Sequence, residues 1–145
     1  MIYKRLVILI ITLLLFSCSK DPNEFLPHIS GYWEIDEVTL SDGTKKEYNF
    51  NDTIDYIEIT DSVSGFRRKL KPNLFGTFET SQSEENFSIK IEDDSLNIYY
   101  TTPYASWKET VLNANENQLL IRNNTNKDVY LYKRYESLDL DLETE

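Results

Sequence analysis

The chain is poor in cysteine, histidine, alanine and glycine, and each shortage excludes something. Cys18 is its one cysteine, so no internal disulfide can form and a domain of this size has to hold together on its apolar core. The one histidine, His28, sits beside Pro27 and reads as a solvated linker residue. That leaves a Ser–His–Asp triad without its base and zinc without a second soft ligand. Four scattered glycines make no phosphate-cradling loop. Two alanines, Ala105 and Ala114, against ten tyrosines and seven phenylalanines favour pleated over helical backbone. Positive charge is short as well, with 15 basic residues against 25 acidic ones and a formal charge of −10. Such a surface repels phosphate backbones and anionic lipid heads, which argues against a nucleic-acid partner.

Long apolar runs are absent except near the start, where Leu6 to Phe16 follows Lys4 and Arg5. As a helix that run covers about 16 Å, short of the roughly 30 Å of a bilayer core. A positive start, a short greasy core and a small residue before the cut describe a secretory signal peptide over residues 1–17. Leu15-Phe16-Ser17-Cys18 resembles the bacterial lipobox. That resemblance implies diacylglycerol on the Cys18 sulfur and an acyl chain such as palmitate on the new amino terminus, enough together for stable anchoring. A plain secretion signal and a retained anchor are the other readings of this stretch, but they leave the lone cysteine unexplained. Ser19 carries no inner-membrane retention signal, which favours the outer membrane. Lys20-Asp21 resembles the Lys-then-acidic surface-export signal of Bacteroidota lipoproteins; the cell surface and the periplasmic face both stay open. Cleavage removes two bases and no acids, leaving 13 basic against 25 acidic residues and a charge of −12.

The two prolines and missing periodicity of residues 18–28 read as a lipidated tether. Beyond it the chain is a series of short strand-like runs. Phe87-Ser-Ile89-Lys-Ile91 alternates strictly, and Asp93-Asp94 turns it into Leu96-Asn-Ile98-Tyr-Tyr100, a hairpin signature. Further runs are Tyr32–Leu40, Lys46–Phe50, Ile54–Ile59, Phe66–Leu70, Leu74–Thr80, Trp107–Leu112, Gln118–Arg122 and Val129–Tyr135, separated by turn-rich stretches. Spacings of about 8–12 residues with no helical pattern between them predict an all-β antiparallel up-and-down meander. About eight strands closed into a barrel would hide the edges. The domain spans 29–136, and 137–145 reads as an acidic tail that frays or extends the last strand.

Gly31-Tyr32-Trp33, opening the first strand right after a lipoprotein tether, resembles the lipocalin-like lipoproteins of Bacteroidota. The ending, Gln118-Leu-Leu-Ile-Arg122, a polar turn and Val129-Tyr-Leu-Tyr-Lys-Arg134, is similar to their last two strands. The resemblance implies that Trp33 plugs the closed end of the barrel with Arg134 across its indole, a structural contact worth about 0.5–2 kcal/mol as a cation–π pair.

Candidate chemistry is sparse. Glu92 with Asp93-Asp94 offers calcium its oxygen ligands, but two aspartates at a hairpin tip are more often turn chemistry, and no cofactor or metal site is assigned. Among 25 acids some carboxylate pair is always near another, so no glycosidase pair and no catalytic residue can be picked out. Tyr104 and Trp107, in the Pro103-broken loop Thr101–Trp107, are the candidate ligand contacts; the other reading has Trp107 starting a strand and pointing into the core. Asp52-Thr53-Ile54, Asp61-Ser62-Val63 and Asp94-Ser95-Leu96 match the Asp-Ser/Thr-apolar pattern of Bacteroidota O-glycosylation, which makes Thr53, Ser62 and Ser95 candidate acceptors.

The leading expectation is a membrane-tethered, non-enzymatic barrel that binds a small apolar or amphipathic ligand. The alternative is a protein-interaction lipoprotein (an inhibitor, an immunity factor or an accessory subunit of an outer-membrane complex) whose acidic surface suits a basic partner. The state of the interior separates the two. An interior filled by Trp33, Ile35, Ile57, Ile59, Phe78, Phe87, Ile89 and Ile98 favours the partner, and an open aromatic-lined cavity favours the ligand.

Overall fold

Strands whose inward positions are apolar must bury one face, and a meander does so by curling until its first strand meets its last. The computed structural model describes residues 20–73 and 76–137 and shows this closure. A 3-10 turn, Pro22–Phe25, and a short α1, Leu26–Ile29, lead into β1 (Gly31–Thr39), β2 (Lys45–Glu47), β3 (Ile54–Asp61), β4 (Ser64–Pro72) and β5 (Phe78–Glu92). β6 (Ser95–Thr101), β7 (Ser106–Ala114), β8 (Gln118–Asn123) and β9 (Val129–Arg134) complete the chain. The strands pair in the order β2-β1-β3-β4-β5-β6-β7-β8-β9, and β1 also pairs with β9. Eight strands, β1 and β3 to β9, therefore form a closed antiparallel barrel, and β2 hangs on the far end of β1 through Val38↔Lys46.

The expected β5–β6 hairpin is present. Asp93 and Asp94 take φ of 51° and 55°, the left-handed pair of a type I′ turn, whose twist suits a two-residue hairpin. Leu74 and Phe75 lie outside the described residues, while Phe78–Thr80, from the run read as Leu74–Thr80, and the run Phe87–Ile91 belong instead to the single 15-residue β5. The polar stretch between them hid the continuity. Its carboxylates answer the bases of β4 across the ladder, with Arg67↔Glu85 and Arg68↔Glu84 in register.

The barrel's core joins Trp33, Ile57, Phe87, Ile89, Leu96, Ile98, Leu119 and Ile121, with Ile35 and Ile59 packed partly buried against it. Phe78 departs from the expected inward set. It stacks on Tyr32 at 5.1 Å and meets the edge of Tyr135 at 6.0 Å. Tyr32 alternates with inward Trp33, which places this aromatic group on the outer face of the sheet.

The segment expected as a tether is also different. Pro22 and Phe25 are buried, and Phe25 belongs to the core together with Ile29, the first residue expected in the domain. Phe25, Leu26 and Ile29 share one helical face, and the open barrel end gives that face something to cover. Asp21 starts the turn by accepting from the Asn23 backbone N–H at 2.9 Å. Residues 1–19, with the signal peptide and Cys18, and residues 138–145 of the acidic tail lie outside the described residues.

Candidate functional site

The two ends of the barrel are built differently, and the closed one comes first in sequence. Trp33 is 0% exposed, and its indole N–H donates to the Ile29 carbonyl at 2.7 Å. The Arg134 guanidinium carbon lies 3.7 Å from the indole centroid. Its Nη2 donates to the His28 carbonyl at 2.7 Å, its Nη1 to Ser30 at 2.8 Å and its Nε to Glu116 at 2.8 Å. The last carbonyls of a helix lack partners within the helix; here Trp33 and Arg134 supply them and tie α1 to the β7–β8 turn. Partial burial lowers the Arg134 pKa. Gly31 makes the arrangement possible. A Cβ there would stand 2.1 Å from Arg134 Nη1, and the residue's φ of +133° disfavours any side chain. His28, expected as a solvated linker residue, is half-buried in this floor and gives its carbonyl to Arg134.

Past the apolar floor the inward positions become charged. Asp55 on β3 is 1% exposed and Glu109 on β7 is 6% exposed. Arg67 on β4 donates from Nε to Glu85 at 2.7 Å and from Nη1 to Glu109 at 3.4 Å. Its guanidinium also lies 4.5 Å from the Tyr100 ring centroid and 5.9 Å from that of Trp107. Burial opposes the Arg67 charge, but Tyr100, Glu109 and Asp55 outweigh it and raise the pKa well above the usual arginine value. Lys69 approaches Asp55 Oδ1 to 2.5 Å as an ion pair, without the alignment of a hydrogen bond. The buried Tyr100 hydroxyl has no hydrogen-bond partner among the described residues. Burial pushes the pKa values of Tyr100 and Tyr132 well above the ordinary tyrosine value.

Above this layer is a cavity of about 250 Å³ lined by Ile35, Arg67, Lys69, Trp107, Glu109, Asn123, Tyr130 and Tyr132. A model of the lipocalin-like domain matches residues 29–121. The chain belongs to the lipocalin-like domain family. Among solved structures the lipocalin-like barrel is similar to apocrustacyanin C2, at 12% identity and a TM-score of 0.43, over 81% of this chain and 70% of that one. No curated protein matches the sequence.

Trp107 and Tyr104 are not brought together in this barrel. Trp107 starts β7, stacks on Tyr100 at 4.8 Å and 7°, donates its N–H to Glu109 at 3.1 Å and lines the cavity. Tyr104 is 96% exposed on the β6–β7 loop and is not among the lining residues. Thr53 and Ser62 are exposed in the loops before β3 and after it, and Ser95 begins β6, half-buried. Asp61 and the hydroxyl of Ser64 close the β3–β4 turn beside Ser62 at 2.8 Å. No group of three or more His, Cys, Asp or Glu among the described residues could hold a metal ion.

The ionic layer was missed at the sequence level, yet parity carried a signal for it. Asp55 has the parity of Ile57 and Ile59, and Glu109 that of Trp107 and Val111. A charge sharing its parity with core residues points inward whenever the strand keeps its period of two.

Proposed function

We propose that the protein is a membrane-tethered, non-enzymatic lipocalin-like domain that takes a small amphipathic ligand in the open half of its barrel. The observation that carries this reading is the cavity of about 250 Å³ above a sealed floor, lined by Trp107, Tyr130 and Tyr132 beside the charged Arg67, Lys69 and Glu109. At about 30 Å³ per water-sized group it has room for about eight such groups, which suits a small ligand. The barrel wall lends aromatic faces and the ionic layer lends polarity.

Native mass spectrometry of the chain purified from its host membranes tests this. The expected result is a retained small molecule that is lost when Trp107→Ala and Tyr130→Ala are combined. A bare protein mass, with no response of Trp107 fluorescence to added amphiphiles, would overturn it.

The tether rests on Leu15-Phe16-Ser17-Cys18. It puts the chain in the outer membrane with its barrel toward the periplasm or the cell surface. Removing the Cys18 thiol with Cys18→Ser should abolish membrane partition, and unchanged sedimentation with membranes would sink the anchor. The filled lower half of the barrel favours a second reading, an interaction lipoprotein whose net negative charge meets a basic partner. That reading gains if the mass spectrum shows a bound polypeptide in place of a small molecule.

A further inference from the structure

The segment ahead of β1 is not a free leash. Pro22 is buried, Phe25 belongs to the core, and Lys20 donates from Nζ to Asn113 Oδ1 at 3.0 Å beside the β7–β8 turn. These contacts lie at the closed end of the barrel, where Arg134 joins the same turn to α1. From Cys18 to buried Pro22 there are four peptide steps, at most about 14 Å of extended chain. The nine-residue β7, at about 3.3 Å per residue and a tilt of about 40°, sets the β6–β7 loop about 20 Å beyond the β7–β8 turn. The chain is too short to turn the mouth toward a surface that holds Cys18.

We propose that the closed end is the surface this protein sets against the membrane. Cys18 holds the barrel floor-down on the lipid head groups, and the mouth opens to the aqueous side. Anything that enters the cavity comes from there and not from the leaflet that carries the anchor. This rests on the lipid-anchor reading above and adds an orientation to it.

The turns of the closed end suit a zwitterionic head-group layer. The β3–β4 turn meets the end of β5 where the Ile89 N–H donates to the Val63 carbonyl at 2.7 Å. Val63 and Ile91 are 59% and 43% exposed there, apolar side chains that can dip between head groups. The same end carries Asp61, Asp93 and Asp94, which anionic lipid would repel. At the far end Tyr104, 96% exposed, meets the aqueous side. The buried helical turn decides the matter. With Pro22 to Ile29 released, the chain from Cys18 to Gly31 would span up to about 45 Å, and the barrel could turn over.

The lipidated full chain, purified from its host and reconstituted in phosphatidylcholine vesicles, tests the proposal. Glu116→Cys at the β7–β8 turn and Tyr104→Cys at the β6–β7 loop each take a fluorophore, the Cys18 thiol being occupied by its lipid. A short-range quencher is carried on the lipid head groups. The label at position 116 should be quenched several-fold more than the label at position 104. A flexible insert of about ten glycine and serine residues between Ser19 and Lys20 adds up to about 35 Å of chain and should remove most of that difference. Equal quenching, or stronger quenching at position 104, would overturn the orientation. A difference untouched by the insert would overturn the short chain as its cause, and each of these results leaves the anchor standing. A chain that does not float with the vesicles overturns both.

Discussion

The same eight strands build two unlike ends. At the closed end Trp33 is fully buried, its N–H is used, and Arg134 spends three N–H groups on three carbonyls. At the open end the inward positions carry Asp55, Arg67, Lys69 and Glu109, the Tyr100 hydroxyl lacks a hydrogen-bond partner among the described residues, and a cavity remains. Buried polar groups normally find partners, so a floor that satisfies every group it draws on contrasts with a mouth that leaves two atoms, Asp55 Oδ1 and the Tyr100 hydroxyl, without a hydrogen bond among the described residues. Packing and saturation hold a barrel shut.

The comparison breaks first if the floor proves dispensable. Trp33→Ala removes a fully buried indole and should cost about 3–5 kcal/mol, measured by urea unfolding; a loss under about 1 kcal/mol would mean that the floor does not hold the barrel. A smaller effect sharpens the role of the guanidinium. Arg134→Lys keeps the charge but loses the fork that reaches three carbonyls, and should cost about 1–3 kcal/mol. Stability equal to the parent chain would reduce the contact to charge alone.

The smallest effect belongs to three tyrosines and appears only in alkali. Burial raises Tyr100 and Tyr132, and a hydrogen bond to Glu58 raises Tyr56 to about 12. A tyrosine whose folded pKa is raised binds its proton longer folded than unfolded. Its contribution is therefore full below the unfolded value, near pH 10, and is lost as pH rises through the folded one. Stability should thus begin to fall above pH 10. In absorbance titration these three tyrosines should ionise only above pH 10 or on unfolding, and their ionisation with a midpoint near pH 10 in the folded chain would contradict this.

Much of the fold was legible because alternation is a local property. The β5–β6 hairpin follows from two alternating runs around Asp93-Asp94, and the start and end of the wall follow from Gly31-Tyr32-Trp33 and the run to Arg134. Two features escaped for physical reasons. Phe78 is apolar and sits in a strand, but the face a residue takes is set by register, and β5 slips against β4 between Arg68 and Leu70. Pro22 and Phe25 looked like part of a linker because so short a helical segment has little stability of its own. They become ordered by covering a hole that exists only once the barrel has closed.

The candidate site was legible in one residue and illegible in its chemistry. Trp107 was singled out and lines the cavity; Tyr104, singled out with it, lies in solvent. Asp55, Arg67 and Glu109 come from three strands, with Arg67 and Glu109 alone 42 positions apart in sequence, and no local pattern links them.

The order of residues by itself determined the strand class, the hairpin turn at Asp93-Asp94 and the period of two along the strands, because these depend on neighbours one to four positions apart. Tertiary structure alone decided which charges meet, what the N-terminal helical turn covers and how much room is left, because those distances exist only after β1 has paired with β9.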